Sequence, residues 1–167
     1  MTATLTTQLD DLVAGLRATI TSRTDDGHIT RRVADRLRKQ LPGPDILTPA
    51  QREGDPAHYR SHLLHAEADG SFSVVALVWL PGQATRIHDH ISWCVFGVIQ
   101  GIEHEELFDE QLNPLGENDN CPGDVSGFAP PGDIHRVRNI GDITAISLHV
   151  YGADLSQVGT SVRRNYD

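Results

Sequence analysis

The chain has 167 residues, is 38% hydrophobic and 22% charged, and carries a formal net charge of −9 with no basic block. That length makes one domain with a sizeable core, and the acidic balance argues against nucleic acid or an anionic membrane as partner. Two cysteines are too few for a disulfide framework, the apolar run 74–80 is too short to span a bilayer, and the opening MTATLTTQLDDL lacks the features of a signal peptide, so a cytoplasmic, reducing setting is expected.

Residues 1–41 read as helix. Leu5, Leu9, Leu12, Val13, Leu16 and Ile20 form one apolar stripe at spacings of three and four. A polar, turn-rich break at 21–27 separates it from a second helix in which Ile29, Val33, Leu37 and Leu41 recur every four residues. Pro42, Gly43 and Pro44 end that helix. From about residue 57 the period becomes two. Strands are expected at 72–80, 94–100, 134–140 and 143–151, with turns at 113–116, 122–124 and 129–133. The segment 102–108 reads as a surface strand, with Glu103, Glu105 and Glu106 on a solvated face. In the last strand Ala145, Ser147, His149 and Tyr151 share one face, and Thr144, Ile146, Leu148 and Val150 the other. Short strands between Gly/Pro turns predict a mainly β sandwich or barrel. The expected organisation is an N-terminal helical layer, 1–44, packed on a β-barrel, 45–167, within a single structural domain.

The nine histidines carry the chemistry. His88 and His90, at i and i+2 on a strand, project from one face and reach a common ion. His135 follows a tight turn at the start of another strand. His28, His58, His62, His65 and His104 read as surface or helper residues.

These residues also carry a family resemblance. Gly82, His88, His90, Cys94 and Gly101 match the spacing G-x5-H-x-H-x3,4-E-x6-G of the first cupin motif, with Cys for Glu. Pro130, Gly132, His135 and Asn139 match the second motif, P-x-G-x-x-H-x-x-x-N. The chain therefore resembles the cupin superfamily, which implies a double-stranded β-helix (jelly-roll barrel), here with N-terminal α-helices. Cys94 in the Glu place, with IHDHISWCVFGVIQG, IHRVRN and SLHVYGAD, makes it similar to the cysteine dioxygenase family of thiol dioxygenases in its bacterial form. The resemblance implies His88, His90 and His135 as ligands of ferrous iron, Fe(2+), and Ser147, His149 and Tyr151 as an outer relay. It also implies a thioether between Cys94 and the Tyr151 ring, against the alternative of a plain buried cysteine. The activity it implies adds both atoms of O2 to the sulfur of a small thiol carboxylate. Three neutral imidazoles without a carboxylate ligand suit that chemistry, because they leave open positions and a positive centre for a thiolate.

Relatives selective for cysteine hold the substrate carboxylate with an Arg on a segment that begins with Tyr. A second bacterial branch, acting on 3-mercaptopropionate, uses a Gln there and an Arg near the C-terminus. Here Tyr59 is followed by Arg60 and then Ser61 in the selective place. Strand alternation turns Arg60 away from Tyr59 unless a bulge intervenes. Arg163 and Arg164 are the competing candidates, and surface solvation is the other reading for all three. Cysteine and 3-mercaptopropionate both stay open as substrates. So do a cupin of another activity, such as an isomerase or ring-cleaving dioxygenase, and a metal-free small-molecule-binding cupin. A monomer or small homo-oligomer is expected.

Overall fold

The computed structural model describes residues 2–20 and 25–167, with side chains from residue 7 onward. The Leu5 side chain and residues 21–24 of the expected break lie outside them. Two helices come first, α1 (Thr2–Thr19) and α2 (Asp26–Gln40). The Asp25 carboxylate caps α2 by accepting from the His28 backbone N–H. Leu12, Val13 and Leu16 of α1 and Ile29, Val33, Ala34 and Leu37 of α2 are buried, as their spacing demands. A 3-10 turn (Pro44–Ile46) and a short α3 (Pro49–Arg52), closed by a Thr48–Gln51 capping box, lead into the strands.

Ten strands follow: β1 (Arg60–Ala66), β2 (Ser73–Trp79), β3 (His88–His90), β4 (Cys94–Gln100), β5 (Glu103–Phe108), β6 (Pro114–Asn120), β7 (Val125–Phe128), β8 (His135–Asn139), β9 (Ala145–Tyr151) and, after a one-turn α4 (Leu155–Val158), β10 (Val162–Asn165). They form two five-stranded antiparallel sheets, ordered β1-β2-β9-β4-β7 and β10-β3-β8-β5-β6. This is the double-stranded β-helix of the cupins. Among the described residues no helix is long and apolar enough to cross a membrane.

The central strands β2 and β9 of the first sheet are buried on both faces, which is why β2 reads as a continuous apolar run. Val74, Ala76, Val78, Ile146, Leu148 and Val150 pack outward under α1 and α2. Val75, Leu77, Trp79, Cys94, Ala145 and Tyr151 face inward. Each buried aliphatic side chain contributes about 1.5–3 kcal/mol, so the helical layer makes this sheet a fixed wall for whatever lies inside.

Two expectations need correction. Residues 114–120, expected to open with a turn, form the edge strand β6. Its PLGENDN sequence has no apolar alternation, and pairing with β5 imposes the conformation on it. Glu103 and Glu105, expected on a solvated face, are 0% and 2% exposed. The reason is topological: β5 lies between β8 and β6, so its alternate residues point into the barrel. The α3, α4 and β10 elements have no counterpart in the sequence reading.

Gly101 takes the chain from the first sheet to the second at φ +78°, and a Cβ there would lie 2.7 Å from Ala145 Cα. Gly101→Ala is therefore expected to destabilise the fold by about 2–5 kcal/mol, left-handed strain and overpacking together. Urea unfolding measures it, and an unchanged midpoint would contradict the tight corner.

Candidate metal centre

The centre is built from two strands. β3 turns His88 and His90 inward and Asp89 outward. His135, the first residue of β8, pairs in register with His88. All three imidazoles are buried, and their ligand atoms lie within 4.8 Å of one another. Each ring spends its Nδ1–H on an oxygen. His88 donates to the Arg86 carbonyl at 2.9 Å, His90 to Asp133 Oδ2 at 3.1 Å and His135 to Glu105 Oε1 at 2.6 Å. Each therefore keeps the tautomer in which Nε2 is an unprotonated donor for a cation. Burial, and then the neighbouring His135 and His90, push His88 down to about 3, and burial lowers His90 as well. A cluster of converging imidazoles with oriented rings fits a transition metal.

Asp133 and Glu105 were not singled out by the sequence reading. Asp133 also accepts from the His90 backbone N–H at 2.9 Å, tying the turn before β8 to β3. Its place two residues before the motif His was the available signal. Glu105 had none, because a charged residue on a mixed strand reads as solvent-facing.

The three histidines line a chamber of about 180 Å3 between the sheets. Tyr151, His149, Trp79 and Phe128 form its inner walls, and Tyr59, Ser61, Thr160 and Ser161 lie towards its rim. The three residues expected to form a relay lie together behind it. The Tyr151 hydroxyl lies 3.3 Å from His149 Nδ1, and His149 Nε2 lies 2.9 Å from Ser147 Oγ. Burial lowers His149 to about 3 and raises the Tyr151 hydroxyl well above its usual range. Both groups are therefore neutral. Cys94 is fully buried and pairs directly across the ladder with Tyr151. Its Sγ is 3.8 Å from His149 Nδ1.

The residues considered for a substrate carboxylate separate. Tyr59 stacks on Trp79 with ring centroids 4.3 Å apart, and Ser61 pairs with Leu77 on the chamber side. Arg60 points away to Asp55 at 3.6 Å, and the β1 bulge falls at Leu63–His65, too late to turn it inward. Arg164 is outside the chamber, its guanidinium held by the outward-facing Asp89, which also accepts from the Tyr166 hydroxyl. Arg163 makes no ion pair among the described residues. With Arg86 and Arg164 it borders a second depression that shares Tyr59, His88 and Thr160 with the chamber. Among the described residues no Arg or Lys lines the chamber itself.

Comparison with known proteins agrees with this geometry. Residues 53–164 match the family model described as cysteine dioxygenase type I. The chain is similar to cysteine dioxygenase type 1 of Danio rerio, 29% identical over 66% of this chain and 59% of that protein. It is 31% identical to the Homo sapiens protein of that name over 58% of this chain and 52% of the other. The chain thus spans between half and three-fifths of the length of these relatives. Among solved structures, a Klebsiella pneumoniae protein with a double-stranded β-helix domain aligns at TM-score 0.54 and 17% identity, covering 72% of this chain and 97% of the other. A Thermus thermophilus protein aligns at 0.51 and 24%, covering 64% and 96%. Both share the fold.

If the Nδ1 bonds orient the ligands, Glu105→Ala should weaken Zn2+ binding about 10- to 100-fold. Chelator competition measures it, with circular dichroism to check the fold. Unchanged affinity would remove His135 from the ligand set.

Proposed function

The chain belongs to the cysteine dioxygenase type I family, and from that premise we propose that it is a non-haem iron thiol dioxygenase. The reaction is RSH + O2 → RSO2H, with a small thiol carboxylate as substrate. The observation that carries the reading is the set of three buried imidazoles with their Nδ1 atoms committed. His88, His90 and His135 would hold ferrous iron through their Nε2 atoms, and the metal, when bound, would supply dioxygen activation beside a thiolate.

The chain's own residues supply the rest. The two sheets exclude bulk water from the chamber. Its lining carries no carboxylate, so nothing there repels a thiolate. Tyr151, kept neutral by burial, presents a hydroxyl that donates a hydrogen bond where negative charge develops. His149 and Ser147 hold that hydroxyl in place. The cross-strand pairing of Cys94 with Tyr151 supports a thioether, in which a ring-carbon to sulfur bond would replace one S–H and one C–H, with O2 taking the two electrons and protons. Fully crosslinked protein is then lighter by two hydrogen atoms, and the two peptides stay joined under reduction.

The substrate's far end sorts the arginines. Arg60 is occupied by Asp55 on the outer side, whereas Arg163 borders the depression that opens beside His88. The substrate carboxylate, of cysteine or of 3-mercaptopropionate, is held from the C-terminal side by Arg163, with Arg164 fixed by Asp89 beside it, and Ser61 and Tyr59 at the rim. Oxygen uptake by iron-loaded protein against a thiol panel, with sulfinate detected by mass, tests the activity. A catechol or isomerase substrate turned over in place of thiols would overturn it. Arg163→Ala is expected to lower kcat/KM about ten- to a hundredfold, the worth of a charge-assisted contact, while Arg60→Ala stays near wild type. The opposite ranking would reverse the assignment.

A further inference from the structure

One titratable group behind the chamber has no place in the reading above. Glu103 projects from the inner face of β5 and is 0% exposed, yet neither carboxyl oxygen has a hydrogen-bond partner and no ion pair reaches it among the described residues. The polar groups facing it, short of full hydrogen-bond geometry, are the Ser147 hydroxyl and the Trp79 indole N–H. The other neighbours are spent. Asn139 donates to the Trp79 and Ile143 carbonyls, Asn120 to the Glu103 backbone carbonyl, and Glu105, further along the same face, accepts from His135.

The relay's protons can be counted. Trp79 Nε1 lies 3.5 Å from Ser147 Oγ and only donates. Ser147 has one proton and His149, being neutral, has one ring N–H. With two links, Ser147–His149 and His149–Tyr151, only two self-consistent directions exist. Whatever bonds Ser147 from behind selects between them.

We propose that Glu103 is the fourth member of this relay, a positioning residue whose proton sets the direction of the whole hydrogen-bond chain. As the neutral acid it donates to Ser147 Oγ. Ser147 then donates to His149 Nε2, His149 Nδ1–H donates to the Tyr151 oxygen, and the Tyr151 O–H points into the chamber. As the carboxylate it accepts the Ser147 hydroxyl. Ser147 then accepts from His149 Nε2–H, His149 Nδ1 accepts from Tyr151, and the Tyr151 hydroxyl turns away from the chamber. Only Glu103 loses a proton between the two; the imidazole changes tautomer.

Burial, opposed by Ser147 and Trp79 and assisted by the charge on Glu105, raises the Glu103 carboxyl to about 7. Both directions are therefore accessible near neutral pH. Of the other titratable groups around His149, burial pushes the Cys94 thiol up and lowers His90 and His88. The inference rests on the proposed function only for its catalytic consequence, that a donating Tyr151 is available below the Glu103 midpoint.

The test is the tautomer of His149, read by 15N NMR on the full chain labelled at histidine, with Zn2+ as diamagnetic probe. Wild type should pass from Nδ1–H well below neutral pH to Nε2–H well above it, and Glu103→Gln should show no change across that range. A wild-type tautomer that never changes, or a Glu103→Gln protein that still switches, overturns the proposal. Replacing a buried ionisable group changes stability whatever its role, so stability is not the readout. If Glu103→Gln does not fold, infrared titration of 13C-labelled glutamate in wild type must give a buried acid whose midpoint coincides with the tautomer change; different midpoints overturn the proposal. Failure of Zn2+ to bind counts against the metal centre alone, since the tautomer is still readable on the metal-free chain.

Discussion

The arrangement depends on one repeated interaction: each inward-facing imidazole gives its Nδ1–H to an oxygen behind it. A free histidine divides its proton between two nitrogens and turns about two side-chain bonds. Here both freedoms are removed at each of the three positions, so three unprotonated Nε2 atoms face one volume. The oxygen partners come from three different places: the backbone before β3, the turn before β8 and the strand β5. The centre therefore exists only when the second sheet is fully paired. Two of the partners are buried carboxylates, Asp133 and Glu105, which bring negative charge against the imidazoles. A cation at the Nε2 face would complete their pairing, and its charge would be offset although no carboxylate stands among the candidate ligands.

The first sheet supplies the opposite wall and the hydrogen-bonded Ser147, His149 and Tyr151. Because β2 and β9 are buried on both faces, their side chains have no solvent to turn towards. Alternation along β9 delivers Ser147, His149 and Tyr151 to the chamber side, and Ile146, Leu148 and Val150 to the helices. The helical layer packs against the strand that carries Ser147, His149 and Tyr151, and Phe96 stacked 5.3 Å from His149 fixes the ring plane. The C-terminal strand β10 closes the outside of β3, with Arg164 and Tyr166 both on Asp89. The residue between the two ligand histidines is thereby used to fasten the ligand strand.

Much of this was legible in the chain because it is local. A period of two placed His88 with His90 and grouped Ser147, His149 and Tyr151, and glycine and proline marked the corners. The motif asparagine, Asn139, joins β8 to Trp79 and to the Ile143 turn, a structural duty consistent with its fixed spacing from His135. What was illegible depends on contacts between distant segments. Nothing in IEHEELF distinguishes an edge strand from one lying between two others, so Glu103 and Glu105 read as solvated. Nothing in SVRRNYD announces a strand, since its four ladder residues carry one apolar side chain. Arg60 and Arg164 were candidates from their places beside Tyr59 and near the C-terminus, and their actual partners, Asp55 and Asp89, are set by register.

The central claim is that this chamber transfers both oxygen atoms to one thiol sulfur. Turnover of cysteine and of 3-mercaptopropionate by iron-loaded protein under 18O2, with the product weighed by mass spectrometry, tests it most directly. The account predicts a sulfinate carrying two labelled oxygens from a single O2. A product with one labelled oxygen, with label from water only, or a disulfide in place of sulfinate would contradict it.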